Sequence, residues 1–145
     1  CVDEGIAPAT VDAALTAFGM PMGPIELVDT VGLDIAVAAG TALAGADAVL
    51  PRTLADKVAA GWLGRKSGQG FYLWQNGKAQ KSAPGPLPDG LAERIVLPLR
   101  QAVQACVDKG VVADADLADA GVIFGTGFAP FTGGPLHDLA FRARP

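Results

Sequence analysis

The 145 residues predict an all-α chain of two related helical subdomains packed as an internal pseudo-dimer, with one short aromatic extended segment. Two observations carry this. First, Cys1-Val2-Asp3-Glu4-Gly5-Ile6-Ala7 returns as Cys106-Val107-Asp108-Lys109-Gly110-Val111-Val112. In both copies an Ala/Asp-rich stretch and a Phe-Gly step, Phe18-Gly19 and Phe124-Gly125, then lead to a loop closed by Gly-Pro, Gly23-Pro24 and Gly134-Pro135. A period near 105 residues is too long for a solenoid and fits a duplicated helical unit, whose halves pack as two subunits do in a symmetric dimer. Second, half the residues are apolar, mainly Ala, Val and Leu between Gly and Pro stops, as amphipathic helices require.

The punctuation places the elements in order. Thr10 is a candidate N-cap for a helix over 11–17 that Gly19 ends. Pro24 suits the first turn of a second helix, which stops at Gly32. A third, Leu33 to Leu43, is so rich in Ala and Val that it is expected deep in the core. Pro51 starts a fourth that stops at Gly61. At Gly68-Gln69-Gly70-Phe71-Tyr72-Leu73-Trp74 aromatics replace alanines, and Asn76-Gly77 suits a type I′ hairpin turn. Residues 82–90, with three prolines and two glycines, read as a linker between a first copy at 1–81 and a second at 91–145. In the second copy, 91–109 predicts a long amphipathic helix kinked by Pro98, followed by helices over 114–124 and 136–141. The pseudo-dimer contact is expected to bury Val37, Leu43, Ile95, Leu99 and Val103.

Composition excludes several functions. Eleven basic against fifteen acidic residues leave a net charge of -4 with no basic cluster, which argues against nucleic-acid binding. No apolar run approaches the ~18 residues of a membrane span. The two cysteines occupy matching positions and read as buried structural thiols rather than a disulfide, consistent with a reducing, cytoplasmic setting. A start at Cys1, already at a helix end, is expected to mean that residues are missing upstream.

Few residues carry a chemical motif. The loop before Lys66-Ser67 lacks the glycine of a phosphate-binding loop. Gly68-Gln69-Gly70 and Gly125-Thr126-Gly127 lack the third glycine of a dinucleotide fingerprint, since Leu73 and Pro130 stand there. His137 is the lone histidine, and Asp138 beside it points about 100° away on a helix, so neither a metal site nor a catalytic pair results. Asp29, Asp34, Asp114, Asp116 and Asp119 lie where capping and dipole effects account for them.

One ordered set of motifs stands out: Gly19-Met20-Pro21-Met22-Gly23-Pro24, Val31-Gly32-Leu33-Asp34, and Leu63-Gly64-Arg65-Lys66-Ser67-Gly68-Gln69-Gly70-Phe71-Tyr72. Together these resemble the C-terminal domain of the 3-hydroxyacyl-CoA dehydrogenase family, with its PMGP turn, (V/I)GLD helix start and LGxKxGxGFY run. The second copy resembles the degenerate second such domain of multifunctional fatty-acid oxidation enzymes.

The resemblance implies oxidation of an L-3-hydroxyacyl-CoA in β-oxidation, with hydride passing to NAD on a Rossmann domain that also holds a His-Glu pair. NAD is then bound by that N-terminal domain, and no catalytic or cofactor-binding residue is expected in this segment, nor a metal. A supporting Asn lies upstream of the residue matching Cys1, and its place in the second copy falls near Glu93, which cannot donate an amide hydrogen bond. The substrate-contact candidates are Met20, Pro21, Met22, Gly23 and Pro24, the methionines offering an adaptable wall for an acyl chain. Lys66 reads first as a solvated turn lysine, with contact to a phosphate or carboxylate as the alternative. Implied partners are the Rossmann domain of the same chain, an acyl-CoA substrate and, if the helices serve as an interaction module, a thiolase subunit.

Overall fold

The computed structural model describes residues 1–44 and 49–142. Their elements are α1 (Pro8–Phe18), α2 (Pro24–Val31), α3 (Leu33–Ala44), α4 (Arg52–Ala59), a hairpin of β1 (Leu73–Gln75) and β2 (Lys78–Gln80), then α5 (Leu91–Asp108), α6 (Ala115–Thr126) and α7 (Pro135–Arg142). Among the described residues the fold is all-α but for this one antiparallel pair. Asn76 and Gly77, both at positive φ (50° and 74°), make the predicted hairpin turn.

The chain divides into two compact units: Cys1–Ala13 with Met22–Leu87, and Ala14–Pro21 with Pro88–Pro145. Residues 14–21 thus group with the second unit, although by sequence they belong to the first copy. The physical reason lies among their neighbours in that unit. Phe18 meets Phe128 edge to face at 5.6 Å, and a Cβ on Gly19 would run into the Phe131 ring. In the first unit Ala9, Val11, Leu33 and Tyr72 are buried. In the second, Val103 of α5 packs with Ala118 of α6 and Leu136 of α7, and Leu99, Val107, Val112 and Val122 pad this core.

Helix α1 begins at Pro8, so Thr10 lies inside it and does not cap it; its hydroxyl instead accepts a hydrogen bond from the Gly85 N–H at 2.9 Å. Helix α5 runs through Pro98 as one element. Helix α6 continues past Phe124-Gly125 and ends at Gly127, left-handed at φ 70°, whose N–H bonds to the Ile123 carbonyl. The counterpart of Gly19 is therefore Gly127, and the Phe-Gly pairing of the two copies is corrected by two residues.

Helix α3 is not deep in the core. Leu33 at its first turn is buried, but Ile35 is half exposed and Leu43 is 89% exposed. Composition sets how apolar a helix is, not whether a partner surface covers it. Of the other side chains expected to be buried, Val37, Ile95 and Leu99 are half-buried, and Val103 is covered by its own unit. Cys1 and Cys106 are free thiols and half-buried rather than buried.

Candidate functional site

The first unit is organised by two carboxylates that sequence reading undervalued. Asp12, on α1, is 2% exposed. It accepts hydrogen bonds from the backbone N–H groups of Ile25 (2.7 Å) and Glu26 (3.2 Å), the first turn of α2. It also accepts from the Tyr72 hydroxyl (2.7 Å) and pairs with Lys81 (3.1 Å). An N-terminal turn leaves N–H groups unpaired and favours negative charge, so a buried carboxylate here caps a helix other than its own. Gly23 is glycine for want of space: a Cβ would lie 2.2 Å from the Asp12 carboxyl carbon.

Asp29, on α2 and fully buried, does the same for the aromatic run. Its oxygens accept from the N–H groups of Phe71 and Tyr72, both at 2.9 Å, and from the Trp74 indole at 3.0 Å. The LGxKxGxGFY glycines follow from this wrap. A Cβ on Gly64 would lie 2.2 Å from the Asp29 carbonyl oxygen, and one on Gly70 would lie 2.3 Å from Oδ1. Ser67 closes the turn between them, accepting from the Leu63 N–H and reaching the Gln69 carbonyl, each at 2.8 Å. Lys57 lies 5.0 Å from the centres of both the Trp62 and Phe71 rings.

Electrostatics follow the burial. Burial first, then the bond to Asp12, holds the Tyr72 phenol far above its ordinary range, so it stays a donor. Desolvation draws the Lys81 ammonium downward, but its bonds to Glu26 and Asp12 outweigh this and raise it overall. A carboxylate offers about four acceptor positions, and those of Asp12 are met by two amides, a phenol and an ammonium. The arrangement fixes a turn; it does not prepare a proton acceptor.

The predicted site residues fall as follows. Pro21 and Met22 are exposed, Met20 and Pro24 half-buried, and Gly23 buried against Asp12. Lys66 is paired with Asp34 at 2.5 and 2.6 Å, and this bond, ahead of the other effects, holds the Asp34 carboxyl below its usual range. Asp114 caps its own helix through the Leu117 N–H at 2.9 Å, as expected. His137 is exposed. Asp138 pairs with the fully buried Arg100 and with Arg142. No group of three or more His, Cys, Asp or Glu side chains suited to a metal occurs among the described residues.

The sequence profile described as 3-hydroxyacyl-CoA dehydrogenase, C-terminal domain, matches residues 1–74, that is 74 of 145 residues. The chain belongs to that family. Among its relatives, the fatty acid oxidation complex subunit alpha of Shewanella baltica is 36% identical over 157 residues, covering 92% of this chain and 21% of that protein. The subunit of the same name from Shewanella amazonensis is 35% identical, with the same shares. The chain thus spans about a fifth of the length of these relatives. Among solved structures, a 3-hydroxybutyryl-CoA dehydrogenase from Escherichia coli K12 aligns with a TM-score of 0.47 and 30% identity, over 61% of this chain and 20% of that one.

Proposed function

We propose that this chain is the substrate-side and assembly part of an L-3-hydroxyacyl-CoA dehydrogenase of fatty-acid β-oxidation, working only together with an NAD-binding domain. The observation that carries the reading is the pairing of the PMGP turn with the LGxKxGxGFY run. Asp12 accepts from the N–H of Ile25, the residue after the PMGP turn, and from the hydroxyl of Tyr72 at the end of the run, and so links the end of one motif to the end of the other within the first unit. Bound NAD supplies the hydride acceptor. The described residues do not fit it: their only strands are the antiparallel hairpin, with no strand-to-helix turn for a pyrophosphate. This chain's part is to present Met20, Pro21, Met22, Gly23 and Pro24 beside the acyl group, with Asp12 holding the end of that turn in place. The second copy is structural, its Glu93 being committed to Arg100 and, at 3.8 Å, to Arg142. A cytoplasmic setting belongs to the same proposal; no described helix is long and apolar enough to cross a membrane.

A second reading, a helical module that docks another β-oxidation subunit such as a thiolase, draws support from Phe124, Phe131 and Phe141, all largely exposed on the second unit. One experiment separates the two. The NAD-binding domain of a relative is supplied in trans, and NADH formation from a 3-hydroxyacyl-CoA is followed. Restored turnover, lost again in Met22→Asp, is expected. Stable association without turnover overturns the first reading and leaves the second.

A further inference from the structure

The chain holds a single asparagine, Asn76, and glycine follows it. Among the described residues Asn76 is also the one non-glycine residue at positive φ, 50°, with Gly77 at 74°. The two form the tip of the hairpin, closed by the Gln75 and Lys78 pair, and both are exposed. Among the described residues no backbone hydrogen bond engages the Gly77 N–H. The hairpin pairs only three residues with three, and Leu73, Gln75, Lys78 and Gln80 of these are exposed. So short a ladder opens readily at its tip. A second feature lies beside it. Arg65 is exposed, and its Nη2 stands 3.5 Å from where a Cβ on Gly77 would be. Lys66 and Lys81 of the same unit are paired with carboxylates, whereas no ion pair among the described residues engages Arg65 or Lys78.

An asparagine followed by an unhindered glycine amide has its nucleophile built in. We propose that Asn76 is a self-modifying site, at which the side-chain amide is exchanged for a carboxylate that Arg65 receives. In the first step the Gly77 nitrogen gives up its proton and attacks the Asn76 Cγ. The bond from nitrogen to Cγ forms, the bond from Cγ to Nδ2 breaks, and Nδ2 leaves as ammonia with the proton, closing a five-membered succinimide. Water from the solvent then opens the ring. Cleavage of the new bond to Cγ leaves aspartate; cleavage of the original peptide bond leaves isoaspartate, whose main chain runs through Cβ and Cγ. One water enters, one ammonia leaves, and no electrons are transferred. Glycine permits the attack because a side chain at 77 would crowd it, and the opened tip permits the rotation of Asn76 that brings the two atoms together. The products differ in what the turn can accept. Asp-Gly suits a two-residue hairpin turn as Asn-Gly does, whereas isoaspartate lengthens the main chain and cannot close the same register. The aspartate form therefore restores the hairpin and sets a carboxylate beside Arg65, a cation without a counter-charge.

The test incubates the full 145-residue chain, folded or unfolded in urea, at neutral and at mildly alkaline pH. Peptide mass spectrometry reads the change from amide to acid at residue 76, and enzymatic methylation reads isoaspartate. Conversion in the folded chain is expected within about tenfold of the unfolded rate, because the opening free energies of such surface segments lie near zero. The rate should rise with pH, as more of the Gly77 nitrogen is deprotonated. Slower conversion in the folded chain than this, or an acid product without any isoaspartate, would overturn the self-modification. The fate of the carboxylate is read separately in Asn76→Asp, an exposed change that keeps the turn chemistry. The new carboxyl, followed by NMR, is expected to titrate below the ordinary range of an aspartate, and Arg65→Met in the same background should return it toward that range. An ordinary titration in Asn76→Asp, or a lowered one that Arg65→Met leaves unmoved, would overturn the pairing with Arg65.

Discussion

The two copies keep one device and differ in what surrounds it. In each, an aspartate five residues into a helix reaches across a loop to cap the helix that begins at Gly-Pro, and the glycine is there because the carboxylate occupies the space a Cβ would need. The first copy loads this carboxylate further, with the Tyr72 phenol and the Lys81 ammonium, and adds the aromatic run around Asp29. The second has no such run; beside its apolar core the buried Arg100 and Asp138 pair with each other and with the half-exposed Glu93 and Arg142. The cap is what the helical fold itself needs, whereas the aromatic wrap fixes a surface turn. The second copy, without the wrap, keeps the cap, Asp119 on the Leu136 and His137 amides, and lacks that turn.

The largest break in this comparison is expected from Asp29→Ala. It leaves the Phe71 and Tyr72 amides and the Trp74 indole without their acceptor. Each stranded donor costs about 1–3 kcal/mol, so a loss of about 4 kcal/mol is expected in urea unfolding of the first unit, followed through Trp74 fluorescence. No change in the midpoint would show that the wrap is held by packing alone.

A smaller effect should sharpen the comparison. Asp12→Asn and Asp119→Asn are the same chemical change at matched positions. Asn has one acceptor oxygen and turns an NH₂ toward a backbone donor. At Asp119 that disturbs one amide, worth about 1–2 kcal/mol. At Asp12 it also removes the charge that pairs with Lys81, and about 2–4 kcal/mol is expected. Hydrogen exchange at Ile25 and Glu26 against Leu136 and His137 reads each cap by itself and is the appropriate measurement. Equal losses would mean that Tyr72 and Lys81 contribute nothing to the first staple.

Much of this was legible in the sequence, and what was not has one cause. Gly32, Pro24, Pro51 and Asn76-Gly77 act on neighbouring residues, so the helices and the hairpin could be placed from them. The roles of Asp12 and Asp29 depend on partners 13 and 42 residues away, and no local pattern encodes them. The available signal was indirect: Gly70 has no positive φ to justify it, and a glycine without a conformational reason points to something packed against it. The exposure of α3 was hidden for the same reason, because the alanines and valines of 33–43 look alike with or without a partner. The PMGP turn was singled out through family resemblance rather than physics, and the steric need at Gly23 emerges only once Asp12 is seen above it.

The smallest expected effect concerns a cap that the second copy does not share. Asp3 accepts from the N–H groups of Arg52 at 2.7 Å and Thr53 at 2.9 Å, and from the Thr53 hydroxyl, at the start of α4. The Thr53 side chain is the chief cause holding the Asp3 carboxyl below its usual range, with the Thr53 amide next; slight desolvation opposes them. A carboxyl lowered on folding stabilises the fold above its unfolded pKa of about 3.9. That contribution is lost as the pH falls through the lower folded value. Thr53→Ala should therefore move the Asp3 titration, followed by carboxyl NMR, upward toward the ordinary value, and the Arg52 and Thr53 amides should lose protection at a higher pH than in the parent. The cap is exposed, so overall stability near neutral pH should change little. An unmoved Asp3 titration would show that the backbone amides alone hold the carboxylate, and that α4 is capped as α6 is by Asp114, by a carboxylate on amide donors without help from a hydroxyl.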